Sequence, residues 1–314
     1  MIETSGRPAG PGESRRPALC LVNRHARSGD IDLAEIADIL AAAGLDSIIR
    51  TATDAGEMAA RLREEGPAAD VVVIGGGDGT ISALLPDLLA LDKPIGILPL
   101  GTANDLAGSL AIPRDLEEAA AVIAAGHIRR IDLGRIGRRS DDRWFVNVAT
   151  VGFGTEVARA HQGLRKKLLG VLAYPFAWLD AYRFTRPFTM WLTLDGRTIS
   201  SRCVQITIGS GTRHGGGLMV SDQASHDDGL LWIYYVKPIR LFGWLRLIPA
   251  LLTGRHRKGG RSVVLNGKTA RLETSRPMKI DVDGDIDGET PAEFSVHPGA
   301  LSVFAPPPTL DPRN

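Results

Sequence analysis

Two unlike domains are predicted from this sequence: a three-layer α/β domain built on a parallel sheet, followed by a mainly antiparallel, β-rich domain. Three observations carry the prediction. From residue 18 to residue 134, short apolar runs alternate with segments of helical spacing, the pattern of a parallel sheet covered by helices. Near residue 131 the pattern changes to short runs rich in β-branched and aromatic residues, punctuated by Gly and Asp. Finally, VVVIGGGDGTIS (71–82) drives an apolar strand straight into a glycine-rich turn.

Residues 1–17 are expected to be a flexible tail, because MIETSGRPAGPGESRRP is polar, carries Pro and Gly throughout and lacks the features of a secretory signal. ALCLVN (18–23) is the first strand. In IDLAEIADILAAAG, Ile31, Ile36, Ile39 and Leu40 share a helical face, and Gly44 suits the C-terminal cap. Residues 46–51 form a second strand and GEMAARLREEG a second helix. VVVIGGG is the third strand, ISALLPDLLA a helix and KPIGILPLG the fourth strand. TANDLAGSL opens a helix, and LEEAAAVIAAG makes another. The second domain, 135–302, is expected to be a sandwich or flattened barrel. Its strands are IDLGRIG, RWFVNVATVGFG, FTMWLTLDG, RCVQITIGSG, GLLWIYYV, SVVLNG, TARLET, MKIDVDG and ALSVFAP. Helical candidates interrupt it at 156–184 and 238–254, and the chain end, 303–314, is expected to return to the first domain.

Composition narrows the function classes. With 44% apolar residues in 314, the chain can bury a sizeable core. A net charge of +1 gives no global electrostatic case for a nucleic-acid partner. Cys20 and Cys203 match no metal or redox spacing, and so low a count suggests a reducing, cytoplasmic compartment. The longest apolar stretch, LFGWLRLIPALLTG (241–254), contains Arg246 and Pro249 and falls short of the roughly 20 residues of a membrane span.

The glycine turn has two readings. A strand, a Gly-rich loop and a helix bind phosphate well, since backbone N–H groups approach the oxygens and the helix adds its positive end. The turn lacks both the GK[ST] ending of a P-loop and the last glycine of G-x-G-x-x-G, because Thr80 stands there. Asp78 in such a loop suggests Mg²⁺ carried with a nucleotide. The alternative is an ordinary strand-to-helix turn. A second strand–turn–helix, ILPLGTANDLA (97–107), crowds Gly101, Thr102, Asn104 and Asp105 into one loop. Loops after successive parallel strands emerge at one sheet edge, where ligands bind. Either loop alone reads as helix capping; the two together favour a nucleotide cleft.

GGDGT (76–80) followed by PLGTANDLA (99–107) resembles the catalytic family of diacylglycerol kinases and sphingosine kinases, most of all its soluble bacterial lipid kinases. The likeness extends along nearly the whole chain. VNRHARSG (22–29) resembles the family's first nucleotide loop, with Arg24 where proline is usual. NVATVGFGTEVA (147–158) is similar to the family's opening of the second domain. GSGTRHGGGLMVSDQASHDDGLL (209–231) is similar to its mid-domain signature, with Asp222 in place of proline, and DVDGDIDGETPAEFSVHPGALSVFAP (281–306) to its C-terminal motif. A further departure is Ile81-Ser82-Ala83 where Leu-Asn-Glu often follows GGDGT.

The resemblance implies ATP and Mg²⁺ as cofactors, a lipid substrate and an active site between the domains. It assigns Asn23, Ser28, Gly29, Thr53, Gly76, Gly77, Asp78, Gly79, Thr80, Gly101, Thr102, Asn104 and Asp105 to the nucleotide, and Ser225, Asp228 and Leu230 to a structural Mg²⁺ site. It also implies an aspartate base in an Asp-Gly-Glu turn, for which Asp283-Gly284-Asp285 and Asp287-Gly288-Glu289 compete. Asp283 is preferred: it ends the strand MKIDV and stands 18 residues before Leu301, the family's spacing. A plain acidic hairpin turn is the bland alternative. Homodimers through edge strands occur among relatives. Arg165, Lys166 and Lys167 precede the apolar run at 168–179, and Arg240, Arg246, Arg255, Arg257 and Lys258 bracket the stretch at 241–254. Such helices either pack on their own domain or make transient contact with an anionic membrane surface. Two rival functions remain: a kinase acting on NAD, which would share the GGDGT loop, and a nonenzymatic lipid-binding module on a degenerate kinase fold.

Overall fold

A computed structural model describes residues 16–24, 32–137, 142–152, 186–211, 213–214, 218–219, 224–238 and 262–307. Ser28, Gly29 and the helical candidates at 156–184 and 238–254 lie outside the described residues, apart from Pro238.

The first domain has a parallel sheet of β1 (Arg16–Asn23), β2 (Leu45–Ala52), β3 (Val71–Gly76) and β4 (Ile95–Pro99), in the order β2-β1-β3-β4. Every residue of β3 and β4 is buried, as a sheet covered on both faces demands. The covering helices are α1 (Leu33–Ala42), α2 (Ala55–Glu65), α3 (Asp78–Leu91), the short α4 (Asp105–Ser109) and α5 (Leu116–Ala125). α1 packs with α5, and α2 with α3, giving the three layers. Asp32, Asp54 and Asp115 start α1, α2 and α5 by accepting first-turn N–H groups, each a helix start written locally. α3 begins three residues before the expected ISALLPDLLA: Asp78, Gly79 and Thr80 are its first turn, and Gly77 is an N-cap with no side-chain cap.

The second domain holds β5 (Ile128–Gly137), β6 (Arg143–Phe145), β7 (Val148–Gly152), β8 (Phe188–Leu194), β9 (Arg197–Cys203), β10 (Gln205–Gly209), β11 (Arg213–His214), β12 (Leu218–Met219), β13 (Leu231–Val236), β14 (Ser262–Gly267), β15 (Thr269–Thr274), β16 (Lys279–Val282), β17 (Asp285–Glu289) and β18 (Ala292–Phe304). Six of them form an antiparallel sheet, β14-β13-β10-β7-β16-β17. β18 joins the domains: it runs parallel to β4 at Val303↔Ile95, and antiparallel to β5 along its length and to β15 at its start. One ten-stranded sheet therefore crosses the molecule. Leu301, Val303 and Phe304 pack in the first core, Ala292 and Phe294 in the second. The second core lies between the sheets: Met190 and Leu272 face Val151, Ile208 and Ile233, making a sandwich.

Two segments that read as single strands are divided. RWFVNVATVGFG gives β6 to the ten-stranded sheet and β7 to the six-stranded one, with Val146 and Asn147 as the buried crossing point. RCVQITIGSG divides likewise at Val204. β-propensity marks a residue as fit for a sheet but does not say which sheet. No helix among the described residues is long and apolar enough to cross a membrane.

Candidate active site

The two glycine-bearing turns meet. A Cβ on Gly77 would stand 2.9 Å from the Gly101 Cα, and one on Gly101 2.4 Å from the Gly77 Cα, so these backbones touch where no side chain fits. On the opposite side, a Cβ on Gly79 would meet nothing within 4 Å. The first turn of the 14-residue α3, uncapped by any side chain, therefore borders open space with its positive dipole end. Asn23, at the end of β1, donates its Nδ2 to Thr80 Oγ1 at 2.9 Å, and so joins the first strand to this turn. Thr53, exposed just beyond β2, has its N–H and hydroxyl on the Glu57 carboxylate. Thr102 is exposed on the rim.

Asp78 acts as a strut between the turns. Its carboxylate accepts the N–H groups of Asp105 and Leu106, both at 2.9 Å, and Asn147 Nδ2 at 3.5 Å. Asn104, in the left-handed region at φ 53°, donates Nδ2 to the carbonyls of Pro99 and Gly101. The side-chain oxygens of Asn104 and Asn147 are buried and have no hydrogen-bond partner among the described residues.

Asp283 and Gly284 form a two-residue turn between β16 and β17, with φ of 51° and 97°. Positive φ at both positions is the pattern of a type I′ hairpin turn, for which Asp-Gly is a strong signal. The turn delivers the Asp283 carboxylate to the crossing point between β6 and β7. There it accepts the N–H groups of Val146, Asn147 and Val148 at 2.9, 3.0 and 2.9 Å, while the Ser82 hydroxyl also bonds to it. Burial pushes the carboxyl above its ordinary pKa, opposed by these donors. Asn147 thus links the two acids: its backbone holds Asp283 and its side chain reaches Asp78. Asp287, the other candidate base, pairs with Arg143, whose Nη2 also lies 3.4 Å from Ser82 Oγ.

Ser225, Asp228 and Leu230 share one turn. Asp228 accepts the N–H groups of Ser225 (3.1 Å) and Leu230 (2.9 Å) and the Trp232 indole N–H (2.7 Å), and the Ser225 hydroxyl turns to Asp227. A carboxylate offers about four acceptor positions, so about one remains on Asp228. The turn fits an ion that keeps most of its water and not a dedicated cage. Among the described residues, no group of three or more His, Cys, Asp or Glu is placed to hold a metal ion.

The family profile described as the diacylglycerol kinase catalytic domain matches residues 17–136, and that described as the YegS C-terminal NAD kinase beta sandwich-like domain matches 147–305. A diacylglycerol kinase of Mycobacterium tuberculosis is 34% identical over 240 residues, 76% of this chain and 77% of the relative. A protein of Klebsiella pneumoniae named "Probable lipid kinase YegS-like" is 30% identical over 298 residues, 93% of this chain and 97% of the relative. The chain belongs to the diacylglycerol kinase family of lipid kinases. A crystal structure of a diacylglycerol kinase from Bacillus anthracis superposes on this lipid kinase with a TM-score of 0.75 at 25% identity, covering 93% of this chain and 98% of that one.

Three side chains of this kinase's site escape sequence reasoning: Ser82, Arg143 and Asn147. A lone Asn inside the apolar run FVNVATV was the available signal for Asn147, since a buried amide in a strand needs partners. Ser82 shows only as a departure from the family pattern, and nothing in the sequence marks Arg143.

Proposed function

We propose that this lipid kinase transfers the γ-phosphoryl group of ATP to the hydroxyl of a diacylglycerol-like or sphingoid- or ceramide-like lipid, with Asp283 as general base. The observation that supports it is the Asp78–Asn147–Asp283 connection, which puts the candidate base one residue away from the glycine turns. ATP phosphates would lie against the open side of Gly79 and the uncapped first turn of α3, near Thr80 and Asn23. The acceptor hydroxyl takes the position of the Ser82 hydroxyl on Asp283 and gives it its proton as its oxygen bonds to Pγ, and the bond from Pγ to the β,γ-bridging oxygen breaks to release ADP. The three backbone N–H groups fix the orientation of the carboxylate. The burial that raises its proton affinity favours acceptance of that proton. The buried side-chain oxygens of Asn104 and Asn147 beside Asp78 suit a hard cation, and Mg²⁺ bound with the nucleotide would supply charge neutralisation there.

Ser225, Asp228 and Leu230 are assigned a separate, structural Mg²⁺. The lipid would lie in the β-rich domain of a cytoplasmic enzyme that touches the membrane surface transiently, with a homodimer as the proposed assembly. The test is γ-phosphate transfer to a panel of lipids, with NAD as a soluble acceptor, by wild type, Asp283→Ala and Asp287→Ala. Asp283→Ala is expected to lose about a thousandfold in kcat and Asp287→Ala far less. Equal rates for wild type and Asp283→Ala would remove Asp283 as the base, and transfer to NAD alone would select the NAD kinase-like reading, to which the sandwich description lends support.

A further inference from the structure

Phosphoryl transfer develops negative charge on the transferring group, and the site around Asp283 is strongly acidic: Asp78, Asp105, Asp283 and Asp287 all belong to it. The GGDGT turn supplies no lysine to offset them. Arg143 is the cation that the hydrogen bonds tie into this network. It rises from β6, three residues before the first N–H group that holds Asp283. Its guanidinium reaches Ser82, the fully buried residue of α3 whose hydroxyl bonds to Asp283. It is loosely held. The Nη2 contact is long at 3.4 Å, and Nε stands 3.3 Å from Asp287 Oδ2 but has no aligned hydrogen-bond partner among the described residues. A half-buried guanidinium whose Nε is sealed from solvent without an aligned partner is costly and unusual. Such a group is well placed to exchange them for phosphate oxygens, which its planar fork fits in bidentate fashion.

We propose that Arg143 is a catalytic residue of this kinase: its guanidinium leaves Ser82 and Asp287 to hold the γ-phosphoryl oxygens during transfer, a charge-stabilising arginine supplied by the enzyme's own β6. This rests on the reading of the site as the place of phosphoryl transfer with Asp283 as base. Arg143 forms and breaks no covalent bond; the proton still passes to Asp283.

The test compares wild type, Arg143→Ala, Arg143→Lys and Asp283→Asn in steady-state transfer from ATP to diacylglycerol in mixed micelles, with thermal unfolding of each. For Arg143→Ala the expected result is a fall in kcat of about a thousandfold, the low end for such arginines. The KM for diacylglycerol should change by no more than a few-fold, and millimolar guanidinium, but not equimolar urea, should restore part of kcat. Arg143→Lys keeps the charge without the fork and should lose at least about tenfold. A folded Arg143→Ala enzyme with kcat near wild type, or a loss that guanidinium leaves untouched, overturns the role of Arg143. If Arg143→Ala fails to fold, Arg143→Lys decides, and a wild-type kcat there overturns it. An active Asp283→Asn enzyme signals instead that the base assignment has failed.

Discussion

Two acidic turns in this molecule each hold an aspartate on three N–H donors, and they differ in where the donors come from. Asp228 takes two from its own turn and one from the indole of Trp232, all within four residues, and stays exposed. Asp283 takes its N–H donors from Val146, Asn147 and Val148, more than 130 residues away, and is half-buried with its carboxylate turned onto them. A local turn organises itself whatever the rest of the chain does. A carboxylate anchored across the sequence exists only when both strands are in place, and its burial gives it a proton affinity that an exposed turn never reaches. Three N–H donors thus produce a self-contained knot in one place and, in the other, a carboxylate with raised proton affinity that depends on the whole fold, the property the proposed base requires.

The most severe way to break the long-range member, short of removing Asp283 itself, is to remove its bridge. Asn147→Leu keeps the backbone N–H groups that hold Asp283 but deletes the side chain that reaches Asp78. If the two acids must be held in mutual register, kcat should fall about a hundredfold, consistent with the sensitivity of transfer to small misplacements, while the KM for ATP changes less. Single-turnover transfer measures this. A variant with unchanged kcat would mean that the contact at 3.5 Å is incidental.

The same contrast explains how much was legible in the sequence. The alternation of strands and helices over 18–134 survives, and the starts of α1, α2 and α5 were legible because each carries its own cap, Asp32, Asp54 and Asp115. The hairpin turn of Asp283 was legible too, since Asp-Gly between two strands is local chemistry. The start of α3 was misplaced because Gly77 caps it without a side chain and Gly-Asp-Gly resembles a loop. What stayed hidden was the destination of each group. The division of RWFVNVATVGFG between two sheets, the seat of Asp283 on its crossing point, and the Arg143–Ser82 contact across 61 positions are tertiary facts. No window of sequence contains both partners.

Asp281 sharpens the comparison on the axis of pH. It lies two residues before Asp283, is buried, accepts the Gly284 N–H at 2.9 Å, and has its carboxyl pushed up to about 6, first by burial and then by its acidic neighbours. Its folded pKa is above the ordinary 3.8, so the native state binds the proton more tightly than the unfolded chain. Stability therefore falls as pH rises from about 4 to about 6, and the full penalty remains above that range. Asp281→Asn keeps an acceptor for Gly284 and removes the charge. It should stabilise the protein by about 3 kcal/mol at pH 8 and by almost nothing at pH 3.5. Urea unfolding at the two pH values checks the sign, and equal effects at both would show that charge burial is not the cause.

The smallest effect is expected at the local turn, and it bears most directly on why two carboxylates with three N–H donors each should differ. In Asp228→Ala the N–H groups of Ser225 and Leu230 lose their acceptor beside water and are resatisfied by solvent, while the indole N–H of the buried Trp232 also loses its acceptor, so the loss should be about 1–2 kcal/mol, or about 2–8 °C in the unfolding midpoint. If Ser225, Asp228 and Leu230 hold a structural Mg²⁺, magnesium raises the wild-type midpoint by mass action, and Asp228→Ala abolishes that rise. The transfer rate at saturating ATP should stay within about threefold, because the turn meets β5 through Arg129, which pairs with Asp227, and through Asp132, which accepts the Gly229 and Gly299 N–H groups and donates its own to the His226 carbonyl, and none of these contacts involves Asp228. A hundredfold loss of transfer with an unchanged midpoint would reverse the assignment, since an exposed, self-contained turn would then be setting the geometry of a buried, long-range one.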